Sequence, residues 1–187
     1  MKKAMTVKRR VERDALFQVP DAKKAKIGEH FSPDNDATLF LGDRLALLRE
    51  IPDGAAQLVV TSPPYNIGKS YERVITLDDY LAAQAETLTE SARILAENGS
   101  LCWQVGNHIA KDGEVFPLDT LIYPICKKLG FRMENRIIWH FEHGLHCTRR
   151  FSGRYETIIW FVKSSDYIFN LDPVRVPQKY PGKRDYK

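Results

Sequence analysis

Thr61-Ser62-Pro63-Pro64-Tyr65-Asn66-Ile67-Gly68-Lys69 follows directly on the apolar run Leu58-Val59-Val60. Its residue types suit one kind of chemistry. Pro63 and Pro64 fix φ and donate no backbone hydrogen bond, so the chain leaves the apolar run in a stiff, extended turn. The Pro63 carbonyl then has no local helical partner and is available to a ligand. Ser62 adds a hydroxyl and Tyr65 a flat ring.

Two acceptors beside a stacking face suit a planar molecule that carries an exocyclic NH2. Accepting both amino hydrogens draws them out of the ring plane and raises lone-pair density on a nitrogen otherwise conjugated into the ring. That nitrogen is then able to attack an electrophilic carbon. The tyrosine ring would replace part of the stacking lost by a base rotated out of a duplex, about 1–3 kcal/mol. Taken alone, Pro-Pro-Tyr also reads as a rigid turn around a core tyrosine. Its place after an apolar strand favours a site, because open α/β sheets bind ligands at the carboxyl ends of their strands.

The elements that must position these residues show in the apolar pattern. "TLFLG" from Thr38 reads as a short buried strand, and "DRLALLREI" as a helix capped by Asp43 with Leu45, Leu48 and Ile51 on one face. Pro52-Asp53-Gly54 turns the chain into "QLVVT", which reads as a strand buried on both faces. Thr76 caps a helix expected to run to about Glu97 and to stop at Asn98-Gly99, with "SLCWQVG" as the next strand. A helix over Pro117 to Leu129 ends at Gly130 and is expected to be kinked or shortened by Pro124. "RMENRIIWHF" and "YETIIWFVK" are two further strands with no helix between them. The order implies a doubly wound α/β fold, a mostly parallel sheet with an antiparallel strand pair. Trp139 and Trp160, inside strand patterns, are expected in the core.

The stretch "LGDRLALLREIPDGAAQLVVTSPPYNIGKSYE" resembles the amino-methylating DNA methyltransferases, which move a methyl group from S-adenosylmethionine to the exocyclic amine of cytosine (N4) or adenine (N6). The likeness continues through "GSLCWQVGN", "RIIWH" and "RYETIIWFVK", covering roughly Thr38 to Lys163. It implies that Ser62 and the Pro63 carbonyl hold the target amine, that Pro64 sets the turn, and that Tyr65 stacks on the flipped base. It implies cofactor contacts for Asp43, Ser62 and Asn107, Asp43 being equally well explained as a helix cap. Serine at position 62 tilts the target toward cytosine, with adenine as the alternative. The resemblance further implies double-stranded DNA as partner and a restriction-modification or related setting; the dispersed cysteines and the lack of a signal-peptide core lead to an expected cytoplasmic location.

Family members of this order carry a Phe-x-Gly-x-Gly cofactor turn after their target-recognition region, and this sequence contains none. The chain therefore looks like the amino-terminal portion of such an enzyme, divided into a basic polar arm (1–36), a catalytic region (37–170) and a basic tail (171–187) that opens a recognition region. A second chain or a further carboxyl-terminal region would supply the glycine-rich turn. The rival reading is an incomplete or split module that binds nucleic acid and is inactive without that turn. Methylation of RNA or of a protein amide is a weaker third.

For DNA contacts the sequence offers Asn66 and Lys69 beside the motif, and Arg149, Arg150 and Arg154 in "HGLHCTRRFSGR". Lys69 reads more readily as a solvated side chain, and for the arginines a plain solvated loop is the alternative. The net charge of +4 is mild, but nine Lys and Arg fall between Lys2 and Lys26 and five between Arg175 and Lys187. Both ends are either solvated tails or contacts to an anionic partner. His140, His143, His146 and Cys147 invite a zinc reading; three-residue spacing on a strand puts successive side chains on opposite faces, so no metal is expected. Three dispersed cysteines suggest no disulfide framework, and neither a signal-peptide core nor a membrane span is apparent.

Overall fold

A computed structural model describes residues 25–142 and 146–177. Most of the basic arm, His143 and the end of the basic tail lie outside the described residues. The chain divides after Ile51 into two compact units.

In the first unit, β1 (Ile27–Gly28) pairs in parallel with β2 (Ala37–Thr38), and α1 (Arg44–Glu50) follows. Asp43 caps α1 as expected: its carboxylate accepts the Leu45 N–H at 2.9 Å. Glu50, at the other end of α1, accepts from the His30 ring nitrogen at 2.9 Å and from the Phe31 N–H at 3.1 Å. "TLFLG" does not form the buried strand expected of it. The ladder partner is only two residues long, so pairing stops at Thr38, and Leu39 and Leu41 are exposed.

The second unit is built on one four-stranded sheet of order β3-β4-β8-β7, from β3 (Ala56–Thr61), β4 (Leu95–Val105), β7 (Arg132–His140) and β8 (Tyr155–Val162). β3 and β4 are parallel, and β8 runs antiparallel to both β4 and β7. Three strands thus point one way, and the expected antiparallel pair is achieved by seating β8 between β4 and β7. Two short strands, β5 (Asn107–Ile109) and β6 (Val115–Pro117), form a separate hairpin beyond β4.

The helices α2 (Leu77–Ile94) and α3 (Leu118–Lys128) pack on one face of this sheet. Alternation along β4 and β8 sends Leu101, Trp103, Val105, Ile159 and Phe161 into that layer, where each is at most 2% exposed. Burial of each such side chain stabilises by about 1.5–3 kcal/mol. The opposite face carries Leu58, Cys102, Ile137 and Trp160, which line an apolar groove with Ile168 and Phe169. β3 is therefore buried on one face only, Leu58 and Val60 being more than half exposed. The tryptophan expectation fails for the same reason: Trp139 is 57% exposed, Trp160 is partly covered, and the fully buried tryptophan is Trp103.

Thr76 caps α2, accepting the Asp79 N–H at 3.1 Å and donating to the Asp79 carboxylate at 2.7 Å. α2 ends three residues earlier than expected because Leu95, itself fully buried, is taken into the ladder opposite Ala56. α3 runs unbroken through Pro124. Pro124 and Thr120, whose carbonyl loses its helical donor to the proline, are both exposed residues, so the lost bond costs little. Gly130 ends α3 in the left-handed region (φ 87°), with Gly130 N–H bonded to the Lys127 carbonyl and Phe131 N–H to the Cys126 carbonyl, both at 3.1 Å. No helix among the described residues is long and apolar enough to cross a membrane.

Candidate active site

The nonapeptide leaves β3 at its carboxyl end, and β4 ends at the same edge of the sheet. β8, being antiparallel, begins there. Three segments distant in sequence therefore converge: Ser62 to Tyr65 from the first strand, Gln104 to Asn107 from the second, and Tyr155-Glu156 from the third. A cavity of about 440 Å3 at this edge is lined by Ser62, Pro63, Pro64, Tyr65, Ile67, Lys69, Tyr71 and Glu156. Ser62 and Pro64 are exposed, whereas Pro63 and Tyr65 are half-buried.

The Tyr65 ring is fixed from two sides. Its hydroxyl donates to the Glu156 carboxylate at 3.1 Å and lies 2.8 Å from the Ser62 hydroxyl. Gln104, from β4, donates its side-chain amide to the same Glu156 oxygen. Behind the ring lies Gly106, where an added Cβ would stand 3.2 Å from two ring carbons, closer than ordinary contact. Burial raises the Tyr65 hydroxyl above its ordinary value of 10.0, and the neighbouring Glu156 charge raises it further, so the phenol keeps its proton at neutral pH.

The loop after Tyr65 is held by residues outside the motif. The Glu72 carboxylate accepts from the backbone N–H groups of Asn66 and Ile67 at 2.9 Å and of Lys69 at 3.0 Å. His108 donates from Nδ1 to the Asn66 carbonyl at 2.9 Å. Asn66 itself has φ 58°, a left-handed conformation that asparagine tolerates better than most residues. Its side chain bonds both the Ile75 carbonyl (2.8 Å) and the Ile75 N–H (2.9 Å), and the residue is 3% exposed. The DNA contact expected of Asn66 meets a physical obstacle here, because the carboxamide is turned inward to close the loop.

The other sequence-derived candidates fall as follows. Lys69 lines the cavity with its side chain exposed. Asn107 lines an adjoining groove of about 510 Å3, together with Tyr65, Glu156, Arg150 and Phe151. Arg149, Arg150 and Arg154 are exposed, Arg150 reaching the Gly113 carbonyl at 3.5 Å. Phe151 among them is fully exposed. Asp43 belongs to the other unit, where it caps α1. Among the described residues no three His, Cys, Asp or Glu side chains cluster as metal ligands.

Sequence reasoning missed Glu156, Gln104 and Glu72. The first two carried a signal: a carboxylate and an amide inside the apolar strand patterns "YETIIW" and "LCWQV" need partners, and they meet at the sheet edge. Glu72 carried none beyond its closeness to the motif.

The fold is that of a methyltransferase domain. The family model described as DNA methylase matches residues 56–187, and the chain belongs to that family. It is 46% identical over 149 residues to the Type II methyltransferase M.BglII of Bacillus subtilis, covering 80% of this chain and 41% of that protein. It is 32% identical over 158 residues to the DNA adenine methyltransferase YhdJ of Escherichia coli strain K12, covering 80% and 50%. The structure of a DNA modification methylase from Thermus thermophilus in complex with S-adenosyl-L-methionine superposes with a TM-score of 0.57 at 30% identity, covering 73% of this chain and 61% of that one. The chain spans about half the length of the curated relatives it matches.

The family depends on S-adenosylmethionine, which supplies a methyl group on an activated sulfonium. The described residues fit the acceptor side of that chemistry, with Ser62, Pro63 and Tyr65 around one cavity. The Phe-x-Gly-x-Gly turn of the donor side does not occur in the sequence.

Proposed function

We propose that this chain provides the target-base half of an S-adenosylmethionine-dependent DNA amino-methyltransferase. The observation that carries the reading is the grouping of the Ser62 hydroxyl, Pro63 and the pinned Tyr65 ring around one cavity at the carboxyl edge of the sheet. Ser62 and the Pro63 carbonyl accept the two hydrogens of an exocyclic amine, Pro64 keeps the turn rigid, and Tyr65 stacks on the extruded base. The chain forms no covalent bond to the base, because the amine is itself the nucleophile. Its contribution is positioning and hydrogen bonding.

Duplex DNA is the substrate, with Arg149, Arg150, Arg154 and Lys69 placed to meet phosphates, in a restriction-modification setting in the cytoplasm. Asn107, which lines the adjoining groove with Tyr65 and Glu156, contacts the cofactor. The glycine-rich turn comes from a further region or a second chain, and without it the chain binds nucleic acid and is inactive. Ser62 favours cytosine N4 as the acceptor. The likeness to an adenine methyltransferase supports adenine N6 as the second reading.

Extruding a base costs least when it is mispaired, so the reading is tested with duplexes of identical sequence holding a paired or a mispaired cytosine or adenine. The chain is expected to bind the mispaired duplex more tightly in a fluorescence anisotropy titration. Equal affinity for paired and mispaired duplexes would contradict a base-holding site.

A further inference from the structure

We propose that Glu156 is a positioning residue that makes the Ser62 hydroxyl an obligate acceptor, so that the site selects an NH2-bearing base over one bearing a carbonyl at the same place. The inference rests on the target-base reading of this cavity and adds to it the group that sets its hydrogen-bond polarity.

The argument follows the protons. A carboxylate has none to give, so at the Glu156 oxygen both neighbours donate: the Gln104 side-chain amide and the Tyr65 hydroxyl, the latter at 3.1 Å. Tyr65 has a single hydroxyl proton, and that proton is committed to Glu156. Across the 2.8 Å contact the Tyr65 oxygen can then only accept, so the Ser62 hydroxyl donates to it. Ser62 also has one proton. With that proton turned toward Tyr65, the Ser62 oxygen has only lone pairs left for the cavity, which Pro63 also lines, and the Pro63 carbonyl is an acceptor in any case. Two acceptors side by side welcome an amine and repel a carbonyl oxygen.

The raised Tyr65 hydroxyl supports this chain, because a phenolate would reverse its direction. Glu156 is the second residue of β8, and Gln104 lies near the end of β4, opposite Ile158. The sheet therefore holds the Glu156 and Gln104 end of this proton chain on two paired strands.

The test uses the 187-residue chain and four probes, 2′-deoxycytidine with 2′-deoxyuridine and 2′-deoxyadenosine with 2′-deoxyinosine, each pair exchanging NH2 for a carbonyl. Binding is followed by NMR through the backbone amides of Ile67 and Lys69. In the natural sequence the NH2 member of a pair is expected to bind about five- to tenfold more tightly, the effect of exchanging one good hydrogen bond for a repulsive pair. In Tyr65→Phe, which keeps the stacking ring, and in Glu156→Ala, the preference is expected to fall by about two- to fivefold, to what the Pro63 carbonyl alone maintains, while the NH2 member still binds. The spectrum reports whether each variant keeps its fold. A preference undiminished in both variants would overturn the role of Glu156 and leave the base site standing. Absence of any response to all four nucleosides would remove the base site itself, and the inference with it.

Discussion

Tyr65→Ala is expected to erase the preference of this chain for duplexes with a mispaired base, a loss of roughly five- to a hundredfold in affinity for the extruded form. The magnitude follows from base–aromatic stacking, about 1–3 kcal/mol per base. Tyr65 is suited to the task because its ring is fixed before any base arrives, by Glu156 and Ser62 at its hydroxyl and by Gly106 behind it. A ring already ordered spends no further conformational entropy on capture. Truncation to alanine removes the platform, whereas affinity for fully paired DNA, for which the proposed contacts include the exposed Arg149 and Arg154, should remain within about twofold. Anisotropy titrations of both duplexes against the variant decide the matter. A mispair preference that survives the substitution would take Tyr65 out of the site.

Glu72→Gln should have the second largest effect, on the order of the loop beside the site. The Glu72 carboxylate accepts three backbone N–H groups, and a bond to a charged acceptor contributes about 1.5–3 kcal/mol. Glutamine offers one oxygen where the carboxylate offers two, and its NH2 faces a backbone donor. The amides of Asn66, Ile67 and Lys69 are therefore expected to exchange with solvent roughly ten- to a hundredfold faster, with the exchange of buried Leu101 and Trp103 unchanged. Burial alone would push the Glu72 carboxyl up, but the N–H groups of Lys69, Ile67, Asn66 and Gly68 outweigh it and hold the carboxyl below its ordinary value of 4.5.

The sign of the pH effect follows. A group whose folded value is depressed contributes its full stabilisation above the unfolded value, near 4.5, and loses it as pH falls through the lower folded value. The proton shifts of the three amides should thus be constant from neutrality to about pH 5 and move together only below about pH 4.5. Unaltered exchange in Glu72→Gln, or a joint transition near neutrality, would show that Glu72 does not hold the loop.

Much of this architecture was legible in the chain itself. Pro63 and Pro64 announce a rigid exit from β3, Thr76 and Asp43 announce helix starts, and Gly130 announces a helix end, because each acts through its own backbone or its near neighbours. What stayed hidden depends on partners far away. Tyr65 finds Glu156 across 91 positions and Gln104 finds it across 52. Only the seating of β8 against β4, which no local pattern encodes, brings them together. Which tryptophan is buried follows from the same register: Cys102 pairs with Trp160 on the groove face and Trp103 with Ile159 on the helix face. Leu39 and Leu41 misled for a different reason, since apolar character reports a wish for burial and not the partner that provides it. The inward turn of the Asn66 carboxamide depends on Ile75 at the end of the same loop, a closure that composition alone does not reveal.

The measurement that tests the central claim most directly is the identity of the methylated base. The chain is combined with the region that carries the glycine-rich cofactor turn, and duplex DNA is incubated with it and with S-adenosylmethionine bearing an isotopically labelled methyl group. The DNA is then digested to nucleosides and analysed by mass. The account predicts label on an exocyclic amine, as N4-methylcytosine with N6-methyladenine as the second possibility, and its loss in Ser62→Ala. Label on a ring carbon, as in 5-methylcytosine, or undiminished labelling by Ser62→Ala, would contradict it.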